Sequence, residues 1–159
     1  MAREFVTVEV QGLAESEAAL KDLVENLGVS NATARNTIGR VLVFAGQPVE
    51  EAAKAAVPVK KGKLRASIAT SRKLSRRQKA QHTPIAPIEA YVGAGSLPQA
   101  HMQEFGTAHH APKPFLRPAV DSKVDEVRQR FADQLKVEIE KVAARARRKL
   151  ARLLAKGKD

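Results

Sequence analysis

The sequence predicts an α+β fold: a small antiparallel sheet packed by helices, with a long basic C-terminal α-helix. Three observations predict it. Apolar residues alternate in short runs near positions 5–10, 66–73 and 88–92, the period of half-buried strands. Between these runs they recur at steps of three and four, the period of amphipathic helices. Beyond Pro118 the helical spacing continues unbroken almost to the end, and acids give way to cations along it.

The first run, Phe5 to Val10, puts Val6, Val8 and Val10 on one face of a strand, and Gly12 breaks it. From Leu13 to Leu27 the set Leu20, Leu23, Val24 and Leu27 predicts a helix, with Gly28 as its C-terminal cap. Ser30 or Asn31 caps a second helix, whose apolar side is Ile38, Val41, Leu42, Ala45, Val49, Ala52, Ala53 and Ala56. Pro48 predicts a kink or break inside that helix, and Pro58 ends it. The segment Gly62 to Ile68 leads into a short strand around residues 66–73. From Leu74 to Pro87 the chain is polar, basic and proline-bearing, which reads as a mobile hairpin loop. Ile88 to Val92 alternates again and pairs with the preceding strand, and Gly93 and Gly95 close it. A short helix over Pro98–Phe105 follows, then a stiff passage carrying Pro112, Pro114 and Pro118.

The last element has the clearest pattern: Val120, Val124, Val127, Phe131, Leu135, Ile139, Val142, Ala146, Leu150 and Leu153. Their mean step is about 3.67 residues, close to that of a straight helix. Pro118 suits the first helical position, and Asp121, Asp125 and Glu126 stand where the helix dipole favours acids. The expected organisation is therefore a compact α+β domain over residues 1–119 and a long helix over 120–159. A helix from 118 to 156 measures about 57 Å, longer than a domain of this size is wide, so its second half is expected to protrude. An apolar stripe that leaves its own domain needs another chain to cover it, which predicts a homo-oligomer.

The length of 159 residues suits one domain, and the absence of cysteine excludes a disulfide framework, thiolate metal sites and a cysteine nucleophile. Charged residues interrupt the N-terminal MAREFVTVEV, and no apolar run reaches membrane-spanning length, so a soluble chain with no membrane partner is expected. The net charge of +11 is segregated. Residues 60–79 hold nine Lys or Arg and residues 141–158 hold eight more, with no acid in either block, which leaves the rest of the chain at −6. On the last helix, Lys141, Arg145, Arg148, Lys149, Arg152 and Lys156 fall within an arc of about 100°. With Arg72, Lys73, Arg76 and Arg77 of the first block, they are candidate contacts for double-stranded DNA or an acidic protein surface. Solvated faces are the simpler alternative. Base reading is not expected, because no helix-turn-helix, zinc finger or aromatic stacking platform is present.

The residues that invite a chemical reading do not assemble into one. His101, His109 and His110, with Glu104 nearby, lack the second helical histidine of a zinc-protease motif, and the adjacent His109 and His110 point apart if extended. Gly93-Ala94-Gly95 is too short for a phosphate loop, and Gly62-Lys63 lacks the upstream glycine of a P-loop. Ser67 and Ser71 have no recognisable His and acid partners. The expectation is no catalytic residue, no metal, no cofactor and no enzymatic activity.

Four segments carry a resemblance: Gly62-Lys63-Leu64-Arg65-Ala66-Ser67-Ile68, then Tyr91-Val92-Gly93, then His101-Met102-Gln103-Glu104-Phe105-Gly106-Thr107, then Pro114-Phe115-Leu116-Arg117-Pro118-Ala119. In this order and spacing, over roughly residues 58–120, they resemble the neck, or tail-completion, protein family of tailed bacteriophages, found beside the head–tail joint of lambdoid siphophages. The resemblance implies a virion structural protein at the head–tail junction, assembled in the host cytoplasm as a ring through which DNA passes. Other phage neck and tail proteins would be its partners. The cationic helix is longer than the family pattern requires. Glu104, Phe105, Gly106, Thr107, Phe115 and Arg117 are the candidate subunit or partner interface. Phe105 and Phe115 also suit the role of core anchors for the turn into the last helix, and the two roles are compatible.

Overall fold

The structure, a computed structural model, describes residues 30–95 and 97–156. The expected strand at 5–10 and helix at 13–27 lie outside the described residues. Among the described residues, six helices and two short strands run in the order α1 (Asn31–Ala45), α2 (Gln47–Ala56), α3 (Lys63–Ser67), β1 (Ala69–Ser71), α4 (Arg76–Gln81), β2 (Tyr91–Gly93), α5 (Pro98–Phe105) and α6 (Leu116–Lys156).

α1 begins where the sequence places a cap. The Ser30 hydroxyl accepts the Thr33 amide at 3.3 Å, satisfying one of the helix's orphan donors. Its buried side, Ala34, Ile38, Val41 and Ala45, keeps the expected step of three or four. The break expected at Pro48 falls two residues earlier, at Gly46, so that Pro48 sits in the first turn of α2, where its missing N–H has no partner to lose. Val57, forced toward extended backbone by Pro58, ends α2 with φ −68° and ψ 131°.

The expected strand at 66–73 is shorter, because residues 63–67 coil into the single turn of α3 and only Ala69–Ser71 are extended. β1 pairs antiparallel with β2, with Ala69 opposite Gly93, Thr70 opposite Val92 and Ser71 opposite Tyr91. The Glu50 carboxylate on α2 accepts the Thr70 amide at 2.7 Å and also pairs with Lys54, tying the sheet to that helix. Burial raises the pKa of Glu50, but these hydrogen bonds outweigh it and hold the carboxyl below its usual range.

The stretch expected to be a mobile hairpin loop is ordered by two local devices. Ser75 and Gln78 form a reciprocal capping box that starts α4. Farther on, Glu89 gathers the loop around its carboxylate. It accepts the Tyr91 hydroxyl at 2.6 Å, the His82 Nε2–H at 2.8 Å and the amides of Ile85 and Ala86 at 2.8 and 3.3 Å. Burial works against ionisation of Glu89, but these donors prevail and bring its pKa down to about 2. Tyr91, half-buried and facing that anion, is pushed up to about 12.

α6 runs unbroken from Leu116 to Lys156, starting two residues before Pro118. α1 and α2 pack against it, α2 also carries the sheet, and one apolar cluster joins Val41, Val49, Ile68, Phe115, Phe131 and Leu135. The architecture is α+β, a two-stranded antiparallel sheet among helices with a long C-terminal helix. Among the described residues no helix is long and apolar enough to cross a membrane.

Candidate functional site

The turn between α5 and α6 brings most of the expected interface residues together. α5 ends at Phe105, and Gly106 takes φ +75°, a left-handed conformation that L side chains rarely adopt. A Cβ there would also stand 2.8 Å from the His110 carbonyl and 2.9 Å from the Pro112 nitrogen, so glycine is required twice over. Thr107 and His110 then exchange backbone hydrogen bonds of 2.9 and 3.3 Å, closing a tight turn, and the Lys113 amide donates to the Gln103 carbonyl at 2.8 Å. Pro112 and Pro114 stiffen the return to α6.

Glu104 is the keystone of this turn. Only 7% exposed, its carboxylate accepts the backbone N–H of Phe115, Leu116 and Arg117 at 2.8, 3.0 and 3.0 Å. These are the orphan donors of a helix start, supplied here with a charged acceptor from another helix. Phe115 is wholly buried beneath the turn. Glu104 and Phe115 thus have internal roles, whereas Phe105 remains 41% exposed, its ring against His101 at 4.7 Å between centroids. Between the turn and α6 lies an open, mainly apolar groove of about 730 Å³, lined by Phe105, Pro112, Pro114 and Pro118, with Glu104, Arg117, Asp121 and Ser122 completing its wall.

The basic residues are distributed differently. Lys141, Arg145, Arg148, Lys149, Arg152 and Lys156 are all exposed along α6. Lys141 donates to Glu138 at 2.9 Å, and Arg40 of α1 reaches the same carboxylate at 3.6 Å. The Lys141 hydrogen bond, against the effect of burial, and the charges of Lys141, Arg40 and Arg145 hold the Glu138 pKa below its usual value. Every residue from Arg147 to Lys156 is exposed, Leu150, Leu153 and Leu154 by 57, 58 and 64%. Of the first block, Arg76 and Arg77 stand exposed on α4, and Lys73 is exposed just beyond β1. Arg72 lies across α1, its guanidinium over Gly39, where a Cβ would come within 2.2 Å of it, and 3.4 Å from the Asn36 side-chain oxygen.

Sequence reasoning missed Glu138 and the Glu89 cluster as organising groups. The spacing Ser75-x-x-Gln78 was a readable signal for α4, but no local signal marks a carboxylate that caps a helix eleven residues away. The histidines have separate surroundings: His82 on Glu89, His101 on Phe105, and His110 in the tight turn. Among the described residues no group of three or more His, Asp or Glu side chains is placed to hold a metal ion.

Comparisons with curated proteins and with solved structures give no match. Residues 18–106 match the model of a family described as "Bacteriophage HK97-gp10, putative tail-component". The match covers more than half of the chain, runs through α1 to α5 and ends on the Gly106 that begins the turn. The chain belongs to this HK97-gp10-like family of bacteriophage tail components, structural proteins of the virion.

Proposed function

We propose that the chain is a neck, or tail-completion, subunit that joins the DNA-filled head to the tail, as an oligomeric ring around the DNA path. Its mechanism is assembly, without catalysis. It would work at the head–tail junction, beside other neck and tail proteins, after assembly in the host cytoplasm. The observation that carries this reading is the end of α6, where three large leucines stand exposed beside a run of cations with no acid after Glu140 among the described residues. In water such a stripe is costly unless a partner covers it, and neighbouring neck and tail proteins or further copies of the chain would supply that cover. The end of α6 protrudes in this reading, and the groove-forming turn with Phe105, Gly106, Thr107 and Arg117 is the second contact surface.

The test is a phage genome that encodes the chain without residues 147–159. Electron microscopy should show filled heads and complete tails that do not join, while the truncated protein remains folded by circular dichroism. Infectious particles at parental titre would sink the reading.

The cations favour a second contact, with the duplex that passes through the ring. Changing Arg148, Arg152 and Lys156 to Gln should lower the salt slope of DNA binding by about three, on the order of one unit per lost phosphate contact. An unchanged slope would assign these cations to a protein neighbour.

A further inference from the structure

We propose that α1 joins the two basic blocks into one surface, which follows the phosphate backbone of duplex DNA. The inference rests on the duplex contact proposed above and extends it from the tip of α6 to Arg40 and Arg72.

The blocks are far apart in sequence, yet contacts on α1 bring them together. Toward the hairpin, the Arg72 guanidinium lies over Gly39, 3.4 Å from the Asn36 Oδ1. Arg35 donates to the Pro87 carbonyl at 2.9 Å, so the loop is tied to α1 at both ends, with Lys73, Arg76 and Arg77 exposed between the ties. Toward α6, Arg40 reaches Glu138 at 3.6 Å, and Lys141 shares that carboxylate. Asn36 and Arg40 stand one turn apart on the same face of α1, which sets the Arg72 and Arg40 guanidinium groups side by side. Like charges held so repel, and an anion between them relieves it. Glu138, Arg145 and Arg152 recur every seven residues, about two turns, so the line of cations continues onto the tip. Glu138, the acid in that line, has a side chain only 16% exposed and already shared by two cations. From Lys141 to Arg152 the line runs about 17 Å, the rise of about five base pairs.

Chemistry selects a phosphate backbone over an acidic protein. A protein interface buries an apolar centre and leaves its charges at the rim. At the tip, Leu150, Leu153 and Leu154 turn onto an adjoining arc, and the arc of Lys141, Arg145, Arg148, Arg152 and Lys156 carries no large apolar residue. Cations without an apolar centre suit phosphates, and the leucines stay free for a protein neighbour.

Binding of the full chain to a short duplex of mixed sequence, measured across a salt series, decides the matter. Arg40→Gln with Arg72→Gln should lower the salt slope by about two, on the order of one unit per lost phosphate contact. Lys136→Gln with Arg147→Gln removes the same charge from the opposite side of α6 and should leave the slope unchanged. Equal losses in the two variants, or none in either, would overturn the proposal. Position is read separately, because the chain has no cysteine to compete with an engineered one. Asn36→Cys carrying an iron–EDTA tether should cut the duplex, and Lys136→Cys carrying the same tether should not. Cutting from both, or from neither, also counts against the surface. The tip variant described above separates this inference from the reading beneath it. If the slope falls with the tip substitutions and not with Arg40→Gln and Arg72→Gln, the duplex contact stands and its extension across α1 falls. If slope and cutting follow the expectation while particles lacking the chain still join heads to tails, the joining role falls and the DNA surface stands.

Discussion

The foot of α6, from Leu116 to Leu135, and its tip, from Arg147 to Lys156, share one helical repeat but differ in what surrounds them. At the foot, Ala119, Val127, Phe131 and Leu135 are buried by α1, α2 and the turn. At the tip, Leu150 and Leu153 follow the same spacing and meet solvent, as does Leu154 beside them. The charges reverse as well, acids with their i+3 and i+4 cations near the foot and unbroken cations at the tip. The family match stops before either. The difference teaches that periodicity identifies a face, whereas the element opposite decides whether that face is core or interface.

The comparison breaks most severely at the foot. Phe115→Ala empties a fully buried site and should destabilise the fold by about 3–5 kcal/mol, read by denaturant unfolding. Glu104→Ala should follow at about 2 kcal/mol, because three helix-start amides lose a charged acceptor, and Glu104→Gln should recover part of that loss. Hydrogen exchange at Phe115, Leu116 and Arg117 should quicken with it, while exchange at Leu135 changes far less. If Leu135 quickens equally, the foot and the middle of the helix are one unit and the comparison loses its force.

A smaller effect comes from the loop. The pKa of Glu89 is about 2 in the fold and near 4.5 when unfolded. Its stabilisation is therefore fully present above pH 4.5 and is lost as pH falls toward 2, since the unfolded chain takes up the proton first. Glu89→Gln should flatten the stability profile in that window, and an unchanged profile would show that other carboxylates set it. The smallest effect on stability belongs to the tip, where Leu154→Asp should shift unfolding by less than about 0.5 kcal/mol. The same variant should abolish self-association measured by light scattering. A tip variant that unfolds the protein would erase the distinction between the two ends.

Much of the frame was legible in the sequence because its signals are local. The Ser30 cap, the stop at Pro58, the helix from Pro98 to Phe105 and the length of α6 each follow from a few neighbouring residues. α4 carried a local signal too, but the basic and proline-bearing context around Ser75 and Gln78 obscured it. Glu89 alternates as a strand residue should, yet its carboxylate turns to the loop amides, a choice set by tertiary contact. The candidate surface was legible in part. Phe105 and Arg117 do share one groove, but nothing local to Glu104 says that it caps α6, and nothing local to Arg72 says that it lies across Gly39.

Mechanically, α6 is a rod clamped along its lower length, with Glu104 holding its first turn. From Val142, its last buried residue, to Lys156 the free part measures about 21 Å. A ten-degree error in the direction of that free part would move its end by about 4 Å, less than the 5.4 Å pitch of a helix. In the proposed assembly the end of the rod would therefore stay within one turn of its target, and the accuracy of that joint would be inherited from the clamp below.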